Sequence, residues 1–384
     1  MIKKKAYIGA EIFDGNERHL NAALVVDQNK VCKIIPQVDL EPCCEVTSLA
    51  GGLICPGFVD IQVNGGGGYL LNDDPCLEKL EIICDTHAKL GTTALLPTLI
   101  SDQPDVTRAA HDCAIAASEK KVSGFWGLHL EGPHLAYSRN GAHDKSVIRP
   151  MDENDCLDLE ELAHKIPKVL TTVASEAVST EYIRRLTSAG IIVSLGHSDC
   201  SFSKAQELVA AGATGVTHLF NAMSQFGSRE PGLVGAALEI GQLSASLIAD
   251  GFHVDVATIN TTLRAKKFPG TIFLISDSMS TTGTELKTFE LNGRKILRKN
   301  GQLTLENGTL AGADLDLASA VRFMVHEVGI CQNDAIKMAT LFPSKFLGLE
   351  TEIGVLQAGS RADFLWLNSN LEVLRVWRSG EIVN

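Results

Sequence analysis

From Cys55 onward the chain alternates between two patterns. Short apolar runs end near Gln62, Pro97, Glu131, Val173, His197, His218, Asp250 and Asp277. Between them lie segments such as CLEKLEIICDTHAKLG and STEYIRRLTSAG, whose apolar residues recur at helical spacing. Successive run ends stand roughly 20 to 40 residues apart, the length of a βα unit. Eight such units predict an α/β fold, a (β/α)8 barrel, over residues 54–345.

The flanks read differently. AYIGAEIF, AALVVDQ and KVCKIIP are short β-like runs within residues 1–53, separated by turn signals such as Asp14-Gly15. The tail, ADFLWLN and LEVLRVWRSGEIVN, is β-like again. The two ends, 1–53 and 346–384, are therefore expected to meet in a small sheet domain beside the barrel. After Asp277, the pairs Asn292-Gly293, Asn300-Gly301 and Asn307-Gly308 punctuate alternating residues and predict hairpins inserted after the eighth strand. LASAVRFMVHEVG and NDAIKMATLFPSKFLG follow as helices.

Charge and composition narrow the function classes. The 384 residues carry a formal net charge of −12 and no basic cluster, which argues against nucleic acid as a partner. No apolar run approaches the ~18 residues of a membrane span, and the N-terminus lacks the apolar core of a signal peptide. Ten cysteines at irregular spacing read as free thiols in a reducing compartment. A soluble, cytoplasmic protein is expected.

The candidate chemistry sits at the run ends. VSLGHS and GVTHLFNAM flank the helical segment SKAQELVAAGA, so strand, helix and strand deliver His197 and His218 to two neighbouring strand tips. Parallel α/β strands carry chemistry there. Two core or capping histidines remain an alternative until a third ligand is found. FWGLHLEGPH supplies Glu131, where Gly132 and Pro133 stop the strand. A His2Glu set with one open position is a catalytic zinc arrangement. A metal so held lowers the pKa of bound water to about 7. Asp277 ends the run TIFLIS, as a turn residue or as an acid/base facing the metal. His129 and His134 flank Glu131 and are not assigned as ligands, and Cys200 reads as a bystander. The Gly65–Gly68 run lacks the Gly-Lys-Ser/Thr of a nucleotide-phosphate loop.

In order, PGFVDIQVNGGGG, GLHLEGPH, NGAH, VSLGHS, THLFNAM, REPGLVGA, IADGFHVD, ISDSMS and GVLQAGSRADFLWLN resemble the motifs of the N-acetylglucosamine-6-phosphate deacetylase family, within the amidohydrolase superfamily. The resemblance covers essentially the whole chain. It implies a distorted barrel with a small β-sandwich built from both ends. It also implies hydrolysis of the acetamide of N-acetyl-D-glucosamine 6-phosphate to glucosamine 6-phosphate and acetate, by a homodimer or higher homo-oligomer. It gives Asp277 the acid/base role and His143 the polarisation of the acetyl carbonyl. Ala142, Asn221, Ala222, Arg229, His253, Leu310, Ala311 and Gly312 match substrate-binding positions, with Arg229 and His253 the cations for the phosphate. Some phosphate contacts in such proteins come from a neighbouring subunit.

One departure stands out. Many amidohydrolases carry His-x-His on the first strand, where this chain reads Gln62-x-Asn64. An amide is a poor zinc ligand. One divalent metal per subunit is therefore expected, held by Glu131, His197 and His218: zinc first, with iron, cobalt or manganese as alternatives. The galactosamine epimer as substrate, and a sugar-phosphate binder without turnover, are the competing readings.

Overall fold

The computed structural model describes residues 3–383. Its largest sheet has eight strands in spatial order from last to first, every characterised neighbour pair being parallel. They are β1 (Phe58–Val63), β2 (Thr92–Ile100), β3 (Leu128–Glu131), β4 (Val169–Val173), β5 (Ile192–Leu195), β6 (Gly215–Val216), β7 (Ser244–Leu247) and β8 (Ile272–Leu274). β1, β2, β3 and β4 are buried at every position, as parallel strands covered on both faces should be.

The residues after β8 close the barrel. Asp277 N–H donates to the Gln62 carbonyl at 3.1 Å, and Asn64 N–H donates to the Ser278 carbonyl at 3.0 Å. Val63 and Ser278 thereby form a parallel bridge.

Five strand ends differ from expectation. β2 runs past Pro97 to Ile100, so the proline lies inside the strand rather than at its tip. β5, β6, β7 and β8 end at Leu195, Val216, Leu247 and Leu274, so His197, His218, Asp250 and Asp277 lie on the turns just beyond. His197, His218 and Asp277 have φ of 47°, 34° and 49°. This left-handed backbone is costly for side chains with a Cβ and collects at functional turns.

The predicted hairpins form a four-stranded antiparallel meander: Thr288–Leu291, Arg294–Lys299, Gln302–Leu305 and Leu310–Ala313. Asn292-Gly293 and Asn300-Gly301 turn with positive φ at both residues, the geometry those pairs favour. Leu291, Ile296, Leu303 and Ala311 of the meander pack with Leu70, Ile100 and Met279.

The chain divides into two compact units. Among the described residues, one holds 3–60, 87–94 and 317–383, the other 61–86 and 95–316. In the first unit, Phe364–Leu367 from the C-terminal tail pairs antiparallel with Leu53–Pro56, so the two ends do share a sheet. A four-stranded sheet that includes Lys5–Ile8 and Ala22–Asp27 supplies Tyr7, Leu24 and Val26 to a common core with Ile12, Phe364 and Trp377 of the six-stranded one. All ten cysteines are free thiols. Among the described residues, no helix is long and apolar enough to cross a membrane.

Candidate metal centre and active site

Glu131, His197 and His218 converge at the C-terminal mouth of the barrel. His218 Nε2 lies 2.8 Å from Glu131 Oε1, His197 Nε2 lies 3.3 Å from the same oxygen, and the two nitrogens are 3.0 Å apart. A tetrahedral ion with bonds of about 2.0–2.1 Å holds its ligands roughly 3.3 Å apart, so the three donor atoms need to spread only slightly. His197 Nδ1 stands 2.7 Å from the Arg139 carbonyl. A carbonyl only accepts, so Nδ1 carries the proton and Nε2 offers a lone pair to the centre. His218 Nδ1 is buried without a hydrogen-bond partner. This donor set fits a divalent metal.

A fourth imidazole stands beside them. His143 meets His197 edge to face at 4.5 Å between ring centroids, with its Nε2 3.7 Å from Glu131 Oε2. Donor atoms of Glu131, His143 and His197 also lie within 4.8 Å of one another, so distance alone leaves two ways to choose three ligands. Gly141, at φ 55°, lets this loop close in: a Cβ there would stand 3.2 Å from the His197 ring.

Electrostatics bind the cluster. Burial would raise the Glu131 carboxyl, but the imidazoles of His143, His197 and His218 around it outweigh that and hold the group well below its usual range. Burial pushes His143 down to about 4, so its ring is neutral at pH 7.

Asp277 faces the centre from the end of β8, only 9% exposed. Its Oδ1 accepts from Asn64 Nδ2 at 2.7 Å and from Gln62 Nε2 at 3.3 Å, and Gln62 Nε2 also lies 3.1 Å from Glu131 Oε1. Burial first, and the Glu131 charge second, push the Asp277 carboxyl up to about 6. Of these two amides, Gln62 reaches both carboxylates and Asn64 reaches Asp277.

A cavity of ≈ 550 Å³ opens over these groups. Ala142, Asn221, Ala222, His253, Leu310 and Gly312 line it, the last two from the meander. Ala311 instead packs into the apolar cluster beneath. Arg229 is exposed and does not line this cavity, and Arg139, which the motif reading left without a role, does. The His253 ring is fixed by Asp250, whose Oδ2 sits 2.6 Å from Nδ1 and whose Oδ1 accepts the N–H groups of Phe252 and His253. His129 points into the barrel between Thr98 and Thr172, at 3.3 and 2.8 Å. His134 lies near the Arg149 carbonyl.

Sequence reasoning treated Gln62 and Asn64 only as missing ligands. Gln62 lies on β1 and Asn64 one residue past its end, and a spacing of two along extended chain puts both on one face, the signal that they act together. Ser101 carries no mark in the sequence, and Asp250 stands there only as a run end with no chemical role. Asp250 had a signal in the short Asp-Gly-Phe-His loop; Ser101 had none.

The sequence profile of the amidohydrolase family matches residues 53–383. An N-acetylgalactosamine-6-phosphate deacetylase of Shewanella sp. (strain ANA-3) is 36% identical over 98% of this chain and 95% of its own. An N-acetylglucosamine-6-phosphate deacetylase of Haemophilus influenzae is 32% identical over 99% and 98%. Among solved structures, N-acetylglucosamine-6-phosphate deacetylase from Pasteurella multocida superposes with a TM-score of 0.94 at 31% identity, covering 99% of both chains. A mutant of the Mycobacterium smegmatis enzyme, in complex with N-acetyl-D-glucosamine-6-phosphate, gives 0.91 at 26% identity, again over 99% of both. The chain belongs to the amidohydrolase family.

Proposed function

We propose that this protein hydrolyses the acetamide of N-acetyl-D-glucosamine 6-phosphate, releasing D-glucosamine 6-phosphate and acetate, with one divalent metal, zinc first, held by Glu131, His197 and His218. The observation that carries the reading is the triangle of Glu131 Oε1, His197 Nε2 and His218 Nε2, with Asp277 tied to the same amide, Gln62, that reaches Glu131.

A divalent ion held by Glu131, His197 and His218 would supply Lewis acidity and a water of lowered pKa. The protein supplies the rest. Asp277 accepts a proton from the attacking water and returns it to the leaving nitrogen, so the departing amine is neutral. Donation from Asn64 and Gln62 keeps the carboxylate turned toward the centre. His143, neutral and buried, donates to the acetyl oxygen as charge builds on it. His253, Asn221 and Ala222 line the part of the cavity assigned to the sugar phosphate. Arg229, exposed and outside that lining, fits a contribution from a second copy of the chain in a homo-oligomer. Ten free thiols suit a cytoplasmic setting.

The galactosamine epimer is the second reading, favoured by the 36% identical Shewanella relative. Acetate release from both epimers, on protein of counted metal content, tests the proposal. Turnover of the glucosamine compound at about one metal per chain supports it. Preference for the other epimer replaces the substrate, and binding without release overturns the activity.

A further inference from the structure

His143 and His197 are neighbours held in opposite states by opposite backbone groups. At His197 a carbonyl, that of Arg139, stands 2.7 Å from Nδ1. The proton is therefore on Nδ1, and Nε2 is a lone-pair donor. At His143 a backbone N–H, that of Ser101, donates to Nδ1 at 3.2 Å, and Ser101 Oγ stands 2.8 Å from the same nitrogen. A backbone N–H can only donate. A proton on Nδ1 would point at another proton, so Nδ1 must accept, the ring is neutral, and its one proton sits on Nε2.

The consequence decides between the two ligand sets that distance alone allows. An Nε2 that carries a proton has no lone pair for a metal, yet it is a donor 3.7 Å from Glu131 Oε2 at the edge of the cavity. We propose that Ser101, placed directly after β2, is a positioning residue that locks His143 as an Nε2–H donor, keeping it out of the metal's ligand set and available to the acyl oxygen. The tautomer and the ligand set stand on geometry alone; the role toward the acyl oxygen rests on the deacetylase reading. Ser101 Oγ also lies 3.4 Å from the Glu131 carbonyl, a contact rather than a second hydrogen bond, because its one proton is given to Nδ1 at 2.8 Å. The residue that orients the donor thus touches the backbone of the residue that holds the ion.

The test is nitrogen NMR on 15N-histidine-labelled protein loaded with 113Cd, with His143→Gln used to assign the His143 signals. The expected spectrum shows His143 protonated at Nε2 and uncoupled to cadmium, with His197 and His218 coupled. A proton on Nδ1 of His143, or cadmium coupling to its Nε2, overturns the proposal. Ser101→Ala keeps the backbone donor but loses Oγ. Its kcat is expected to fall about tenfold with KM and metal content unchanged, and Ser101→Thr to restore it. An unchanged kcat in Ser101→Ala removes the side chain from the role. Because the spectra need no substrate, a protein with the expected tautomer and no acetate release would refute the proposed function and leave the assignment standing.

Discussion

Asn64 Nδ2 donates to Asp277 Oδ1 at 2.7 Å, across the seam where the first and last barrel strands meet. The hydrogen bond sets which way the carboxylate faces. Asn64→Ala removes the donor and leaves the metal ligands alone. We expect a ten- to hundredfold loss of kcat at unchanged metal content, the usual cost of losing an orienting partner. Acetate-release kinetics paired with metal counting checks this, and an unchanged kcat would remove Asn64 from the site's machinery.

Asp277→Asn should retain metal and lose roughly 10²–10⁴-fold in turnover, the range of a general acid/base. Near-normal turnover would take Asp277 out of the mechanism.

The same substitution has the opposite effect on stability in metal-free protein. Burial raises the Asp277 carboxyl from 3.8 to about 6, so the folded chain holds this proton more tightly than the unfolded one. The group costs nothing at pH below its unfolded pKa. The cost grows as pH rises between the two values and is complete above the folded one. Asn carries no charge to bury. Chelated Asp277→Asn should therefore exceed the chelated parent in stability by up to about 3 kcal/mol at pH 8, with the difference gone near pH 3. Denaturant titrations at the two pH values read it; a pH-independent difference would contradict the buried-acid picture.

Chelation should abolish acetate release and lower the melting temperature, since an ion at about a thousandfold its Kd adds roughly 4 kcal/mol to the folded state. Glu131→Gln should behave as chelated protein does and show no further change on chelation. A variant that still binds about one metal per chain would exclude Glu131 as a ligand.

Phosphate recognition is expected to separate from chemistry. Asp250 accepts two backbone N–H groups and pairs with the His253 ring, so Asp250→Asn weakens the charge that holds His253 in place. We expect KM for the 6-phosphate to rise about tenfold or more, with little change for free N-acetylglucosamine. Arg229→Ala should show the same split. Equal losses on both substrates would sink the phosphate assignment.

Much of this was legible along the chain. Eight apolar runs at βα spacing announced the barrel, and the Asn-Gly pairs announced the meander, because both signals are local: a periodicity and a turn preference. The positions of Glu131, His197 and His218 at the mouth of the barrel were readable for the same reason, since each closes an apolar run. Tertiary structure decided what these residues do to one another. Ser101 meets His143 from 42 positions away and Asn64 meets Asp277 from 213, contacts that exist only because the strands are brought side by side and the barrel closes. Sequence spacing fixes the face of a strand on which a side chain lies, since the period of two is a property of one backbone. It does not fix which donor from another strand arrives at a given ring nitrogen. That donor decides where the proton sits, and so which of the two neighbouring rings, His197 or His143, offers its Nε2 lone pair.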